Sequence, residues 1–166
     1  MRHSRKIALS GVLSALAVAL LLVGSLIGVG TYAAPMLAGV ALMPVGMSAG
    51  KKYHILSWIG VSLIGLMLLS DREEALMFAC LFGWYPIARP YFDGLKKHFD
   101  QIARSAALNG AAIGVEALVM LVIAPESNSA LLLIGLLLLA NVTFVLYDKL
   151  IPKVKLIILV RFGKYL

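Results

Sequence analysis

Of the chain's 166 residues 61% are hydrophobic and 14% charged, and the mean hydropathy is +0.97. Soluble domains carry about 45–50% apolar and about 25% charged residues, so this composition excludes a disordered chain or a soluble catalytic domain and points to an integral membrane protein. Fifteen Lys+Arg against eight Asp+Glu give a net charge of +7, one cysteine (Cys80) excludes an internal disulfide, and three scattered histidines offer no metal-ligand spacing.

About 20 apolar residues at a 1.5 Å rise cross the hydrocarbon. Ile7–Val29 is an uncharged first span. The cations before it (Arg2, Arg5, Lys6) resemble the start of a signal peptide. The 23-residue run nevertheless exceeds an h-region of about 7–15 residues, and a second span follows at once, so it is read as a retained helix. Thr31–Met47, with Pro35 and Pro44, is the second span, and His54–Ser70 is the third. Ala75–Ala88 is the fourth and shortest, Ser105–Ala124 the fifth and Ala130–Tyr147 the sixth. Residues 89–104 are polar enough to lie outside the hydrocarbon. From 149 onward, Lys149, Lys153, Lys155, Arg161 and Lys164 mix with apolar residues, as in a helix lying in the interface. The expected fold is all-α: a six-helix transmembrane domain over residues 1–148 and a basic amphipathic tail over 149–166.

Orientation follows from the cations in alternate connections. Arg2, Arg5 and Lys6, then Lys51 and Lys52, then Arg89, Lys96, Lys97 and Arg104, and the five of the tail all fall on one side. Only Arg72 falls on the other, beside Asp71, Glu73, Glu74 and Glu126. Fourteen against one predicts six spans with both termini cytoplasmic. The basic face then meets anionic membrane lipid or a cytoplasmic partner rather than nucleic acid.

Within this frame several features could carry function. Gly11, Ala15 and Ala19 repeat at four-residue spacing in the first span, beside Ser10 and Ser14. Small residues so spaced let another helix approach closely, either as a packing seam within the chain or as a docking stripe for a separate subunit. Glu116 is the sole carboxylate well inside a span. An ionisable group there costs at least about 2.5 kcal/mol on insertion scales, so it should face a polar cavity, a ligand or a hydrogen-bonding neighbour. Asn109 and Asn141 are explained by a hydrogen bond between helices. The Gly28-Val29-Gly30-Thr31-Tyr32 connection could fold over an external pocket with Thr31 and Tyr32 lining it, or form a tight hairpin with an interfacial tyrosine. Asp71, Glu73 and Glu74 form an acidic cluster on the same side that could attract a cation but reads first as solvated loop residues. Trp84 and Tyr85 suit the membrane interface, and Pro86 marks a helix end or kink. Tyr91–Arg104 reads as an amphipathic basic segment under the membrane.

There is no Gly-Lys-Ser/Thr phosphate loop, no His-Glu-x-x-His, no Gly-x-Ser-x-Gly, no carbonyl filter and no evident internal repeat. No catalytic residue, metal ligand or cofactor is expected. Six short spans, a cationic start and the small-residue stripe in the first helix resemble the substrate-binding S components of energy-coupling factor transporters, and Ala15-x-x-x-Ala19 is similar to that family's docking motif. The resemblance implies a subunit that captures a vitamin-like solute or metal ion from outside. It would dock through its first helix on a transmembrane T subunit driven by cytoplasmic ATPase subunits. Thr-Tyr-x-x-Pro-Met-Leu-Ala-Gly (31–39), Trp-Tyr-Pro-Ile (84–87) and Asn-Val-x-Phe-x-Leu-Tyr-Asp (141–148) also resemble a group of uncharacterised membrane proteins of Gram-positive anaerobes.

Three functions are consistent with these residues. The first is a binding subunit for a small external solute, with Thr31, Tyr32 and Glu116 as its contacts and Gly11, Ala15 and Ala19 as the docking stripe. The second is a non-transport scaffold or accessory subunit working through its basic face. The third is a proton-coupled carrier with Glu116 as relay.

Overall fold

A computed structural model of the chain describes residues 3–28, 31–94, 97–119 and 130–162. Among these residues there are helices and no strands: α1 His3–Ile27, α2 Ala33–Ser48, α3 Lys51–Leu68, α4 Arg72–Met77, a π-helical turn Phe78–Phe82, α5 Tyr85–Phe92, α6 Lys97–Leu118 and α7 Ala130–Phe162. Val29 and Gly30, Lys96, the end of the fifth expected span, Glu126 and the tail beyond 162 lie outside the described residues.

Two of the described helices, His3–Ile27 and Ile134–Val160, are long and apolar enough to cross a bilayer. The six full-length spans expected from the sequence are not reproduced as six such helices. α2 has 16 residues, and α4 has 6 before the 5-residue π turn. α3 and α6 both begin in charged turns.

α1 buries only Ala17, Leu21 and Gly24, while Val12 is 68% and Leu26 83% exposed. α3 likewise leaves Leu56, Leu63 and Met67 outside. The centre belongs to α2 and the α4–π segment. α2 buries Ala34, Pro35, Ala38, Gly39, Leu42, Met43 and Val45, and the short segment buries Glu74, Ala75, Met77, Phe78, Leu81 and Phe82. Small residues make the close approaches possible. A Cβ on Gly24 would stand 2.3 Å from that of Ala34, and one on Gly39 would stand 2.5 Å from both the Phe82 carbonyl oxygen and the Tyr147 hydroxyl.

The segment expected as the fourth span is a broken helix. In a regular helix the N–H of residue i bonds the carbonyl of i−4. The Gly83 N–H instead donates to Phe78 O at 2.8 Å, leaving Ala79 O without that donor, and Pro86 has no N–H to offer Phe82 O. Aromatic side chains take over these carbonyls. Trp58 Nε1 donates to Ala79 O at 3.1 Å, Trp84 Nε1 donates to Cys80 O, and the Tyr147 hydroxyl donates to Phe82 O at 2.8 Å. Gly83 makes room for Trp58, since a Cβ there would lie 2.3 Å from the indole Cδ1.

Asp148 was expected to end the last span. Instead α7 runs unbroken through it and through Pro152. The reason is a single apolar stripe, Ala140, Phe144, Tyr147, Ile151, Val154 and Ile158, whose three- and four-residue steps keep one helix face against the core. Residues 149–162 therefore continue α7 rather than forming a separate helix from 149. Asp148 stays at that position because Arg89 and Arg104 pair with it at 3.0 and 3.1 Å. Asn141 Nδ2 donates to Asn109 Oδ1 at 2.8 Å and joins α7 to α6.

Gly39→Ala should destabilise the fold by about 1–3 kcal/mol, because the obstruction includes a backbone carbonyl that cannot swing aside. Tyr147→Phe should cost about 1 kcal/mol or more, because it orphans Phe82 O. That cost should shrink in a Pro86→Ala background, where residue 86 regains an N–H. Unfolding of the unmodified chain, the three single variants and the Tyr147→Phe/Pro86→Ala double variant in mixed micelles measures both; equal cost of Tyr147→Phe in the two backgrounds would show that Pro86 does not create the need for the tyrosine.

Candidate functional site

The helices collect the charges at two ends. At one end, His3 meets Tyr53, Lys51 Nζ donates to the Tyr91 hydroxyl, and Arg89 and Arg104 meet Asp148. At the other end lie Thr31, Tyr32, Asp71, Glu73 and Glu74, and this acidic end contains the residues anticipated as a binding site.

Asp71 organises it. Its carboxylate caps α4 by accepting from the backbone N–H groups of Glu73 (3.0 Å) and Glu74 (3.2 Å), as an N-cap aspartate should. The same carboxylate accepts from Thr31 Oγ1 at 3.2 Å, and the Asp71 N–H donates to Ser25 Oγ at 3.1 Å. The connection after α1 is thereby tied to the one after α3. Tyr32, 6% exposed, donates its hydroxyl to Glu116 Oε1 on α6 at 2.9 Å. Above this pair is a cleft of about 310 Å³, lined by Gly28, Thr31, Tyr32, Ala33 and Glu73 and, from α7, by Leu136, Leu139 and Thr143. Thr31 and Tyr32 thus share one wall, whereas Glu116 does not line the cleft and is joined to it only through its hydrogen bond with Tyr32.

The acidic residues are not the solvated loop residues the sequence suggested. Glu74 is 0% exposed, and neither of its carboxyl oxygens has a hydrogen-bond partner. It fills the slot left by Gly24, where a Cβ would come within 2.7 Å of Glu74 Oε1. Starting α4 at Arg72 sets the helical phase that turns this residue inward. A carboxyl on the cleft wall, close to a buried tyrosine–glutamate pair, can accept hydrogen bonds from an amine or hydroxyl. Among the described residues no group of three His, Cys, Asp or Glu side chains is placed to hold a metal ion.

Gly11, Ala15 and Ala19 do not meet the cleft. They are exposed, and a Cβ on Gly11 would touch nothing. Together with Ser14 they form one wall of an apolar groove of about 1010 Å³ whose other wall is Leu56, Gly60 and Ile64 of α3. The stripe is therefore not a packing seam within the chain. Tyr85, expected at the interface, is buried and donates to Asp148 Oδ1 at 2.6 Å. Tyr91–Arg104, expected as one segment, is divided between the end of α5 and the start of α6. Sequence reasoning missed Glu73 as a cleft residue and Asp148 as the partner of Tyr85, Arg89 and Arg104. The signal for Asp148 was its position as the lone acid between an apolar run and a basic one.

No family model matches the chain, and no curated protein or solved structure is significantly similar to it.

Proposed function

We propose that the chain is a membrane-embedded substrate-binding subunit of an ATP-driven importer of the energy-coupling factor type. It takes a small solute bearing amine or hydroxyl groups into the acidic-end cleft. The observation that carries this reading is the buried Tyr32–Glu116 hydrogen bond behind a cleft that Glu73 and Thr31 also line. An intramembrane carboxylate is expensive to place and needs a polar purpose, and here it backs a cavity at the low end of the size range of small-molecule sites, about 300–1,000 Å³.

In this reading α1, α2, α3, the broken α4–α5 pair, α6 and α7 make six crossings. The basic end faces the cytoplasm and the acidic end faces outside, in keeping with the fourteen-to-one distribution of cations. Support for immersion comes from the outer surface, where Val12, Leu26, Met67, Leu138 and Val160 are each more than half exposed. A monomer in water rarely presents so continuous an apolar surface. The α1–α3 groove then receives the T subunit, whose ATPase partners supply the energy. Small side chains along α1 suit close helix packing in lipid, where van der Waals contact rather than the hydrophobic effect drives association.

The same groove favours one second reading, a scaffold that holds another membrane complex without transporting anything. Purification from the native membrane in mild detergent, with mass spectrometry of proteins and metabolites, separates the two. Co-purifying T subunit and ATPases, lost in Ala15→Leu/Ala19→Leu, is the outcome expected of an importer. A different partner at fixed stoichiometry with no ATPase would mean a scaffold. Glu116→Leu and Tyr32→Phe, each of which removes one partner of the buried hydrogen bond, should weaken retention of a bound metabolite at least about tenfold, while leaving subunit docking intact.

A further inference from the structure

The outer face of α7 carries a pattern that the packing of its inner face does not explain. Ile151, Val154 and Ile158 hold the inner face against the core, and Lys155 lines a cavity of about 160 Å³ at the basic end together with Lys51, Arg89 and Ile151. On the outer face Val142, Leu146, Lys149, Lys153, Leu156 and Val160 follow one another in alternating steps of four and three, and all six are exposed. Such steps average 3.5 residues, the spacing at which a helix offers a continuous seam to a second helix.

The two lysines of this seam mark a level. Lys149 follows Asp148, which Arg89 and Arg104 hold at 3.0 and 3.1 Å, so this turn belongs to the charged end of the bundle. Val142 and Leu146 precede that level and face lipid in the immersed orientation. Leu156 and Val160 stand about 10 and 16 Å beyond Lys149 at 1.5 Å per residue, past the charged level, and are 63% and 76% exposed. α7 runs unbroken through Pro152, so its last turns do not fold back toward the hydrocarbon. Lipid therefore covers the first pair and not the second, and apolar side chains gathered in water beyond a bilayer mark a protein contact. The lysines also select the partner. Neither Lys149 nor Lys153 is in an ion pair among the described residues. A second copy of the chain would cross the membrane the same way up, and its own stripe would set lysines against lysines. Like charges across a seam are unfavourable. A helix with the opposite charge at that level, apolar before and after it, fits instead.

We propose that the outer stripe of α7 docks one helix of another membrane protein, which leaves the inner leaflet alongside α7 and places Asp or Glu opposite Lys149 and Lys153. This face is separate from the groove assigned to the T subunit, whose lining includes no residue of α7. The proposal rests on the membrane reading for the immersion of the chain and the cytoplasmic position of its basic end, and does not require an importer.

The test uses the full chain in its native membrane. Photoreactive p-benzoylphenylalanine replaces Leu156, Val160 or, as a control about a quarter-turn off the stripe, Leu159. Illumination should join the first two variants to one and the same protein, at least about fivefold more than the third. A carbodiimide, which couples an amine directly to a carboxylate, should link the unmodified chain to that protein. Lys149→Arg/Lys153→Arg should remove most of the carbodiimide product and spare the photoproduct, because the charge stays and the amine goes. Lys149→Glu/Lys153→Glu should lower both at least about fivefold. A photoproduct of twice the chain's mass, a photoproduct with lipid alone, equal yield from Leu159, no photoproduct, or one that survives the charge reversal overturns the proposal. The premise is read separately with a membrane-impermeant maleimide on Leu159→Cys/Cys80→Ala. Labelling only after the membrane is inverted upholds the orientation, so that a missing photoproduct then counts against the docking face alone. Labelling of intact cells overturns the membrane orientation and the docking face together.

Discussion

The structure depends on how one broken helix satisfies its own backbone. A buried carbonyl that loses its donor has no water to turn to, so irregular backbone inside the protein survives only where a side chain supplies the missing bond. The π turn and Pro86 disturb the ladder between Phe78 and Tyr85, and three aromatic residues from three places in the chain, Trp58, Trp84 and Tyr147, donate to Ala79 O, Cys80 O and Phe82 O. Trp58 and Tyr147 come from α3 and α7, so the repair also cross-links the bundle around its shortest member. Gly39 and Gly83 follow from the same requirement, since any side chain at either would displace a donor or the carbonyl it serves.

That break sets the two ends. On its N-terminal side the segment is short and buries Glu74, Ala75 and Met77, while Glu73 joins Tyr32 on the wall of the cleft. On its C-terminal side the chain restarts as α5, aiming Tyr85 and Arg89 at Asp148. A straight helix over the same residues would have neither the acidic cleft wall nor the arginine–aspartate corner in these positions. The fold thus uses a defect in one helix to present polar chemistry at both ends of an otherwise apolar body.

Much of this was legible in the sequence at the level of length and composition, and less at the level of phase. Apolar runs located the helices, because burial or lipid contact needs them regardless of partners. Pro86 announced a break, but the π turn beside it has no residue signature; it is a property of which carbonyls find side-chain donors. Thr31 and Tyr32 could be placed on the acidic side and Glu116 within the fifth span, yet the contact between them depends on the reach of a tyrosine across α2 and α6. Glu74 read as solvated because its inward direction is set by where Asp71 starts the helix. Residues 149–162 read as a separate tail because their lysines obscure a stripe that continues from Ala140 to Ile158 in steps of three and four.

That stripe makes α7 a single rod with a foot in each cavity. Leu136, Leu139 and Thr143 line the acidic cleft, and Ile151 and Lys155 line the basic pocket. Side chains reach about 6 Å from a helix axis, so a roll of α7 by about 10° would carry those in line with both cavities by roughly 1 Å; neither cavity can be reshaped through this helix without displacing side chains at the other.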